Sequence, residues 1–245
     1  MNLKKNYNIT FLFPLFNEEE RINSNIKIIK YIQKKFKNYL VVFILNNCTD
    51  NTHKKIKKSF SKNDLCFRII RCNSNKRGNG INKALKLVKC KYFAICAIDD
   101  AWGEDFYNRA YKLIKKKYDV IYGPKNHIKS IVKRNIIRNI ISRISIFYLR
   151  LLYGNLMDQD SQCIKLFRSD ITFLKNLHNY NYFAETEFFI LSKINKLKYK
   201  NIPIKVSNTK GSKVKLFKLL EYMIEALCFK FFLLLNKKLI EKNHK

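Results

Sequence analysis

Acidic residues are scarce in this chain. Only 18 Asp and Glu stand against 50 Lys and Arg in 245 residues, a formal net charge of +32. Such an imbalance implies a polyanionic partner: nucleic acid, an anionic membrane surface, or a phosphorylated substrate. The excess is spread along the chain, and Lys, Asn and Ile are abundant everywhere, so part of it is compositional. Paired-cysteine motifs are missing too. The seven cysteines show no CxxC pair and no zinc spacing. That excludes a disulfide framework and a structural zinc site, and predicts buried free thiols in a reducing compartment. No window of about 18 uncharged apolar residues occurs, so no transmembrane helix is expected. The nearest approach, LLEYMIEALCFKFFLLL, is interrupted by Glu221, Glu225 and Lys230. The opening MNLKKNYNIT runs straight into a strand and carries no signal-peptide pattern. Helix-turn-helix, zinc-finger and aromatic RNP-like signatures are absent, so no nucleic acid is expected as partner.

Apolar residues make up 47% and aromatics 14%, which excludes a disordered chain. Short apolar runs alternate with helical patterns through the first half. Strands are predicted at 8–16, 40–45, 67–72, 91–98 and 119–123. Helices are predicted at 17–36, in the lysine-rich stretch after NNCTDNT, in INKALKLVK and in EDFYNRAYKLIKKK. This alternation predicts an α/β fold with a mostly parallel sheet flanked by helices. In such sheets ligands bind outside the carboxyl ends of the strands.

Four polar loops fall at those ends: PLFNEEER (14–21), NNCTDNT (46–52), NSNKRGNG (73–80), and the acid pair Asp99–Asp100 after the fourth strand. Taken singly, each has an ordinary reading. Asn17 or Asp50 can be a helix cap, and Gly78 and Gly80 can be turn glycines. The acid pair can cap a helix, or it can hold a hard cation on a diphosphate beside Lys76 and Arg77. All four at one sheet edge predict a site.

FPLFNEEERI, NNCTDNT and KALKLVKCKYFAICAIDD resemble, in order and spacing, the successive motifs of family 2 glycosyltransferases, which have the GT-A fold. ISRISIFYLRLLYGNLMDQDSQCIKLFRSD, YFAETEFFILSKINKLKYKNIPIKV and TKGSKVKLFKLL are similar to the dolichyl- or polyprenyl-phosphate mannose and glucose synthases within it. The resemblance covers roughly residues 8–225. It implies a catalytic domain over 1–225, with a nucleotide-sugar half at 1–123 and an acceptor half at 124–215. A membrane-associated helix and basic tail would follow at 216–245. The implied activity is transfer of a sugar, with inversion, from a nucleotide-diphosphate sugar to a polyprenyl-phosphate lipid. The implied cofactor is Mg²⁺ or Mn²⁺.

The same resemblance assigns roles. Asp99 and Asp100 would hold the metal. Pro14, Phe16, Asn17, Glu18, Asn46, Asp50, Lys76, Gly78, Lys210, Ser212 and Lys213 would form the donor site. Lys165 and Arg138 would act in catalysis, and Arg134, Arg143, Gln162 and Glu187 would serve the acceptor. Glu185 and Glu187 match an acidic-x-Glu motif and would support the acceptor loop or form structural ion pairs. The chain departs from the pattern in three places. Ala97 stands for the first Asp of Asp-x-Asp, Leu45 and Asn46 stand where acids are common, and a glycine is missing near DSQCIKLF. A catalytically weakened relative that binds nucleotide sugar is therefore an alternative reading, and a basic nucleic-acid-binding protein, which the charge alone would allow, is a less favoured one.

No acid occurs from Val120 to Met157, where Ile137, Ile140, Ile141, Ile144, Phe147, Tyr148 and Leu151 recur at helical spacing. Leu216, Leu219, Met223, Leu227, Phe231 and Leu234 form a second stripe. Basic amphipathic helices of this kind predict peripheral attachment to an anionic, cytoplasmic membrane face, or else packing on the body of the protein.

Overall fold

The structure, a computed structural model, describes residues 6–22, 26–60, 66–97, 105–133, 136–171, 173, 176–179, 181–206 and 216–236. Its centre is a seven-stranded mixed sheet. The strands are β1 (Tyr7–Leu15), β2 (Tyr39–Asn46), β3 (Phe67–Cys72), β4 (Cys90–Ile95), β5 (Val120–Gly123), β7 (Ile164–Arg168) and β8 (Tyr199–Asn201), in the order β3-β2-β1-β4-β7-β5-β8. β6 (Ile131–Val132) and β9 (Lys205–Val206) form a separate parallel pair. β1 and β2 are nearly unbroken apolar runs because both of their faces are covered.

The helices are α1 (Ile26–Lys35), α2 (Thr52–Phe60), α3 (Arg77–Leu87), α4 (Asp105–Ile114), α5 (Ile136–Tyr153), α6 (Ala184–Ile194) and α7 (Leu216–Leu235). They divide the core in two. Residues of α1, α2 and α4 pack with Phe11, Phe13 and Phe43 on one face of the sheet. Residues of α3, α5, α6 and α7 pack with Leu12, Phe93 and Phe167 on the other.

The mostly parallel sheet expected from the sequence is present, with one inversion. β7 runs antiparallel to both β4 and β5 and lies between them. A segment from beyond residue 123 thus enters the middle of the sheet, so residues 1–123 do not form a continuous sheet alone. The inversion brings the first residues of β7 to the edge where the parallel strands end, pairing Ile95 with Lys165 and Gly123 with Ile164.

Several boundaries differ from the sequence reading, each for a physical reason. The helix expected over 17–36 is limited to α1. The amides of Glu18 and Glu19 are taken instead by Thr52 Oγ1 at 2.8 Å and Asp50 Oδ2 at 3.1 Å. α3 starts at Arg77 and takes Gly78 and Gly80 into its first turns, so these are helical glycines. Close packing explains Gly80: a Cβ there would lie 2.2 Å from Asn46 Oδ1 and 2.5 Å from Ile44 Cγ2. β4 ends at Ile95 rather than at 98. Its last bond to β1 runs from Cys96 N to Leu12 O at 2.8 Å. The next bond of a parallel ladder would need an N–H from residue 14, and Pro14 has none.

All seven cysteines are free; Cys72, Cys90, Cys96 and Cys163 are buried as expected, whereas Cys48 and Cys66 are partly buried and Cys228, on the outer side of α7, is exposed. Among the described residues no helix is long and apolar enough to cross a membrane. α5 and α7 pack against each other. Tyr148 Oη donates to Met223 O at 3.0 Å and Tyr153 Oη to Ala226 O at 2.5 Å. Both apolar stripes are split by this packing. Tyr148 and Met223 turn partly inward. Ile140, Ile144, Phe147 and Leu151 of α5 stay exposed, as do Leu227, Phe231 and Leu234 of α7.

Candidate active site

The loops after β1 and β2 converge, as their position at the strand ends requires. β1 leads into Asn17 and β2 into Asn47, both in the left-handed region with φ of 51° and 49°. Asparagine tolerates that conformation better than most residues. Each chain therefore turns sharply at the sheet edge, and the two loops are stitched together. Asn17 Oδ1 accepts Thr49 N at 2.9 Å, and Glu19 Oε2 accepts Asn51 N at 3.0 Å. Asp50 uses Oδ2 for Glu19 N and Oδ1 for Thr52 N at 3.0 Å. It caps the chain ahead of α2 and also ties the two loops. Backbone donation from Asn51, more than the nearby Lys55, holds Glu19 below the usual carboxylate range.

Beyond β3 the chain enters α3. Lys76 stands at its N-cap with no side-chain cap bond, and the first turn holds no acid. The leading N–H groups of α3 therefore carry the positive end of the helix dipole with no acid of their own turn beside them. Asn46 is 2% exposed beneath this turn, and its Oδ1 has no hydrogen-bond partner.

Lys165 and Glu185 supply the buried electrostatics. Lys165, on β7 beside the end of β4, is 0% exposed, and its Nζ donates to Glu185 Oε2 at 2.5 Å. The other oxygen of Glu185 accepts Arg77 Nε at 2.8 Å. One carboxylate on α6 thus fastens α3 and β7 together. Burial raises the Glu185 pKa, but the two cations and their hydrogen bonds more than offset this and hold it at about 2. Of the two roles open to Glu185 in the sequence, the structure displays the ion pair.

Glu187, 0% exposed, is turned to a different segment. It accepts His178 N, Asn179 N and Asn179 Nδ2, each at 2.7 Å, and faces His178 Nδ1 at 3.0 Å. It secures a loop rather than facing a cleft. Gln162 likewise holds the chain just ahead of α6, donating from Nε2 to Tyr182 O at 2.7 Å and Thr186 Oγ1 at 3.2 Å. A hydroxyl chain of Ser161, Thr186 and Tyr222 continues from it, at 2.9 and 2.7 Å, into α7. Burial pushes the Tyr222 hydroxyl up to about 12.

The structure also reveals participants that the sequence reading did not single out. Lys218, in the first turn of α7, donates to Tyr182 Oη at 3.2 Å. Its Nζ lies 5.0 Å from the centre of that ring and 5.7 Å from the Phe16 ring, so α7 reaches over the first loop. Glu221 and Glu225 approach the same place, the former accepting Asn181 Nδ2 at 2.5 Å. Burial, then the charge of Glu221, raises the Glu225 pKa, while Lys76 opposes the rise. The spacing of these two acids, four residues apart in an otherwise apolar segment, was the available signal. Lys125 and Asp160, paired at 2.7 Å with little exposure, are a further buried couple at the end of β5.

Phe16, Asn17, Glu18, Asp50, Lys76, Gly78, Gln162 and Lys165 are thus gathered along one sheet edge, with Pro14 and Asn46 in the strands beneath. Arg143 is exposed on α5, at a position that these contacts do not link to the edge. Asp99, Asp100, Arg134, Lys210, Ser212, Lys213 and the side chain of Arg138 lie outside the described residues. Among the described residues no group of three or more His, Cys, Asp or Glu could hold a metal ion.

Comparison with known proteins bears on the family and the fold. The sequence model of the family described as Glycosyl transferase family 2 matches residues 10–173. The chain is 25% identical over 235 residues to a dolichyl-phosphate beta-glucosyltransferase of Saccharomyces cerevisiae, covering 85% of this chain and 69% of that one. Among solved structures it resembles glucosyl-3-phosphoglycerate synthase of Mycobacterium tuberculosis in complex with Mn²⁺, UDP and glucosyl-3-phosphoglycerate. That match has a TM-score of 0.67 and 12% identity over 91% of this chain and 80% of that one. It also resembles S. aureus TarS 1-349 in complex with UDP-GlcNAc, with a TM-score of 0.59 and 12% identity over 89% and 66%. These likenesses are to the GT-A fold.

Proposed function

The chain belongs to glycosyl transferase family 2, and from that premise we propose that it transfers a sugar from a nucleoside-diphosphate sugar to a polyprenyl or dolichyl phosphate at a membrane surface. The observation that carries the acceptor class is the state of Glu185. It is one of several carboxylates at this edge, with Glu18, Asp50, Glu221 and Glu225, and it is the one set between two cations, Lys165 at 2.5 Å and Arg77 at 2.8 Å. With a pKa of about 2 it is a poor general base near neutral pH. A sugar hydroxyl needs such a base, whereas a phosphate monoester arrives already ionised. The relation to the yeast dolichyl-phosphate enzyme supports the same class.

In the reaction we propose, an acceptor phosphate oxygen attacks the anomeric carbon from the face opposite the leaving group. The bond from that carbon to the diphosphate oxygen breaks, and a nucleoside diphosphate departs. No proton has to be removed from the attacking oxygen. The donor lies along the loops after β1, β2 and β3, with its diphosphate toward Lys76 and the first turn of α3. Asp99 and Asp100 are the carboxylates that would hold Mg²⁺ or Mn²⁺. A hard cation on one or two carboxylates plus substrate phosphates fits an edge whose described residues offer no all-protein cage. Such a metal supplies neutralisation of the charge that builds on the leaving diphosphate. The Mn²⁺ and UDP in the mycobacterial synthase, and the UDP-GlcNAc in TarS, support this donor and cofactor class.

The acceptor's lipid tail would enter at the exposed apolar face of α5 and α7. We place that face on the cytoplasmic leaflet, where Arg143 meets anionic headgroups.

The test is transfer itself. Incubation with UDP- and GDP-sugars, Mn²⁺ or Mg²⁺ and polyprenyl phosphate in vesicles should yield a glycosyl phospholipid by mass analysis, and the matching polyprenol should yield none. Comparable transfer to the alcohol would refute the acceptor assignment. In calorimetry, Asp99→Asn should abolish metal-dependent UDP binding. Donor binding without transfer to any acceptor would favour a weakened relative, the reading motivated by Ala97.

A further inference from the structure

β3 is the outermost strand of the sheet, and among the described residues nothing pairs with its outer edge. The hydrogen bonds fix which groups that edge presents. Val41 N donates to Cys66 O at 2.9 Å and Asn47 N to Cys72 O at 2.8 Å. The main-chain groups of residues 66, 68, 70 and 72 therefore face β2. Those of Phe67, Ile69 and Arg71 face outward, because successive residues of a strand alternate. Arg71 O is taken by Lys83 Nζ at 2.9 Å. The remaining groups, two of them carbonyls, form a free ladder edge.

Beside this edge, on the α3 side, runs a groove of about 480 Å³ lined by Arg68, Ile70, Lys83, Leu87 and Val88. Its floor is aliphatic, and Leu87 is 46% exposed. Its rim is cationic. α2, β3 and α3 contain Lys and Arg but no Asp or Glu. Arg71 stands on the opposite side of the strand, 3.3 Å from His53 Nδ1. None of these residues belongs to the catalytic edge described above.

We propose that the outer edge of β3 and its groove take up an extended acidic peptide segment of a partner protein, added to the sheet as an eighth strand. Strand addition draws affinity from main-chain hydrogen bonds and selectivity from pockets that receive alternate side chains. Here the outward amides and carbonyls supply the first. The aliphatic floor receives one or two apolar side chains, and the cationic rim selects acids between them. The same charges disfavour a second copy of this chain at the site. Joining two copies at this edge would bring two strands and flanking helices that carry Lys and Arg but no Asp or Glu against each other, and like charges close across strands are destabilising.

The probe is an eight-residue peptide alternating Val and Glu, fluorescently labelled and titrated with the full chain by anisotropy. It should bind, and a peptide with Lys in place of Glu should not. Methylating alternate peptide nitrogens of the probe should weaken binding at least tenfold, which tests the ladder without altering the protein. Arg68→Glu combined with Lys83→Glu should also weaken it at least tenfold while the circular dichroism spectrum is unchanged. If N-methylation has no effect, strand addition is wrong. If oligouridylate or phosphatidylserine vesicles compete at these residues more strongly than the peptide, the face reads polyanions in general and the proposal fails.

Discussion

Removing the Glu185 carboxylate should expose how the buried ion pairs hold the site together. Glu185→Gln keeps the side-chain volume but leaves Lys165, 0% exposed, without its counter-charge. Breaking a buried pair by removing one partner destabilises by roughly 3–5 kcal/mol, because the remaining charge is stranded. The lowered pKa expresses the same ion pairs as a stability. The carboxyl falls from 4.5 to about 2 on folding. At 1.36 kcal/mol per unit this is a stabilisation of about 3 kcal/mol. The folded pKa is the lower one, so this contribution is complete above pH 4.5 and is lost as the pH falls from 4.5 towards 2. Urea unfolding of the parent and the variant should therefore differ by about 3 kcal/mol or more at pH 7, and the gap should narrow as the pH is lowered through that window. Adding Lys165→Met should recover much of the loss, since both charges then leave together. A gap below about 1 kcal/mol at pH 7, or one that does not change between pH 5 and pH 2, would refute the reasoning.

Gly80→Ala should destabilise by roughly 1–3 kcal/mol, because its Cβ would lie 2.2 Å from Asn46 Oδ1 and force α3 away from β2. Thermal unfolding measures the loss, and an unchanged midpoint would mean that the helix can shift freely. Phe147→Asp with Phe231→Asp should leave folding intact, since the two rings are 64% and 58% exposed. Binding to anionic vesicles should fall by about 30-fold, taking on the order of 1 kcal/mol for each half-buried ring. Equal sedimentation with vesicles would remove the membrane face from α5 and α7.

The α/β class and the site's location at the ends of the strands were legible in the chain itself. Short apolar runs such as YNITFLFPL and YLVVFILN, rich in β-branched and aromatic residues and alternating with helical patterns, read as strands covered on both faces, and the parallel strands of such a sheet end at one edge. The end of β4 was not legible: the missing N–H of Pro14 stops the β1–β4 ladder only in the register that the fold sets, with Cys96 N on Leu12 O. Side-chain partners were not legible. The family resemblance marked Lys165 for a role in catalysis but did not name its partner, and only the insertion of antiparallel β7 beside β4 buries it against Glu185. The stripes on α5 and α7 have clear helical periodicity, yet periodicity cannot say which part of an apolar face meets another helix. That was decided by the contact of Tyr148 with Met223 and of Tyr153 with Ala226, which covers one part and leaves Phe147 and Phe231 in the open. Local propensity and hydrophobic pattern depend on near neighbours in the chain. Charge pairing and the choice of buried face depend on residues 20 to 110 positions apart, such as Lys165 with Glu185 and Arg77 with Glu185, and only folding brings them together.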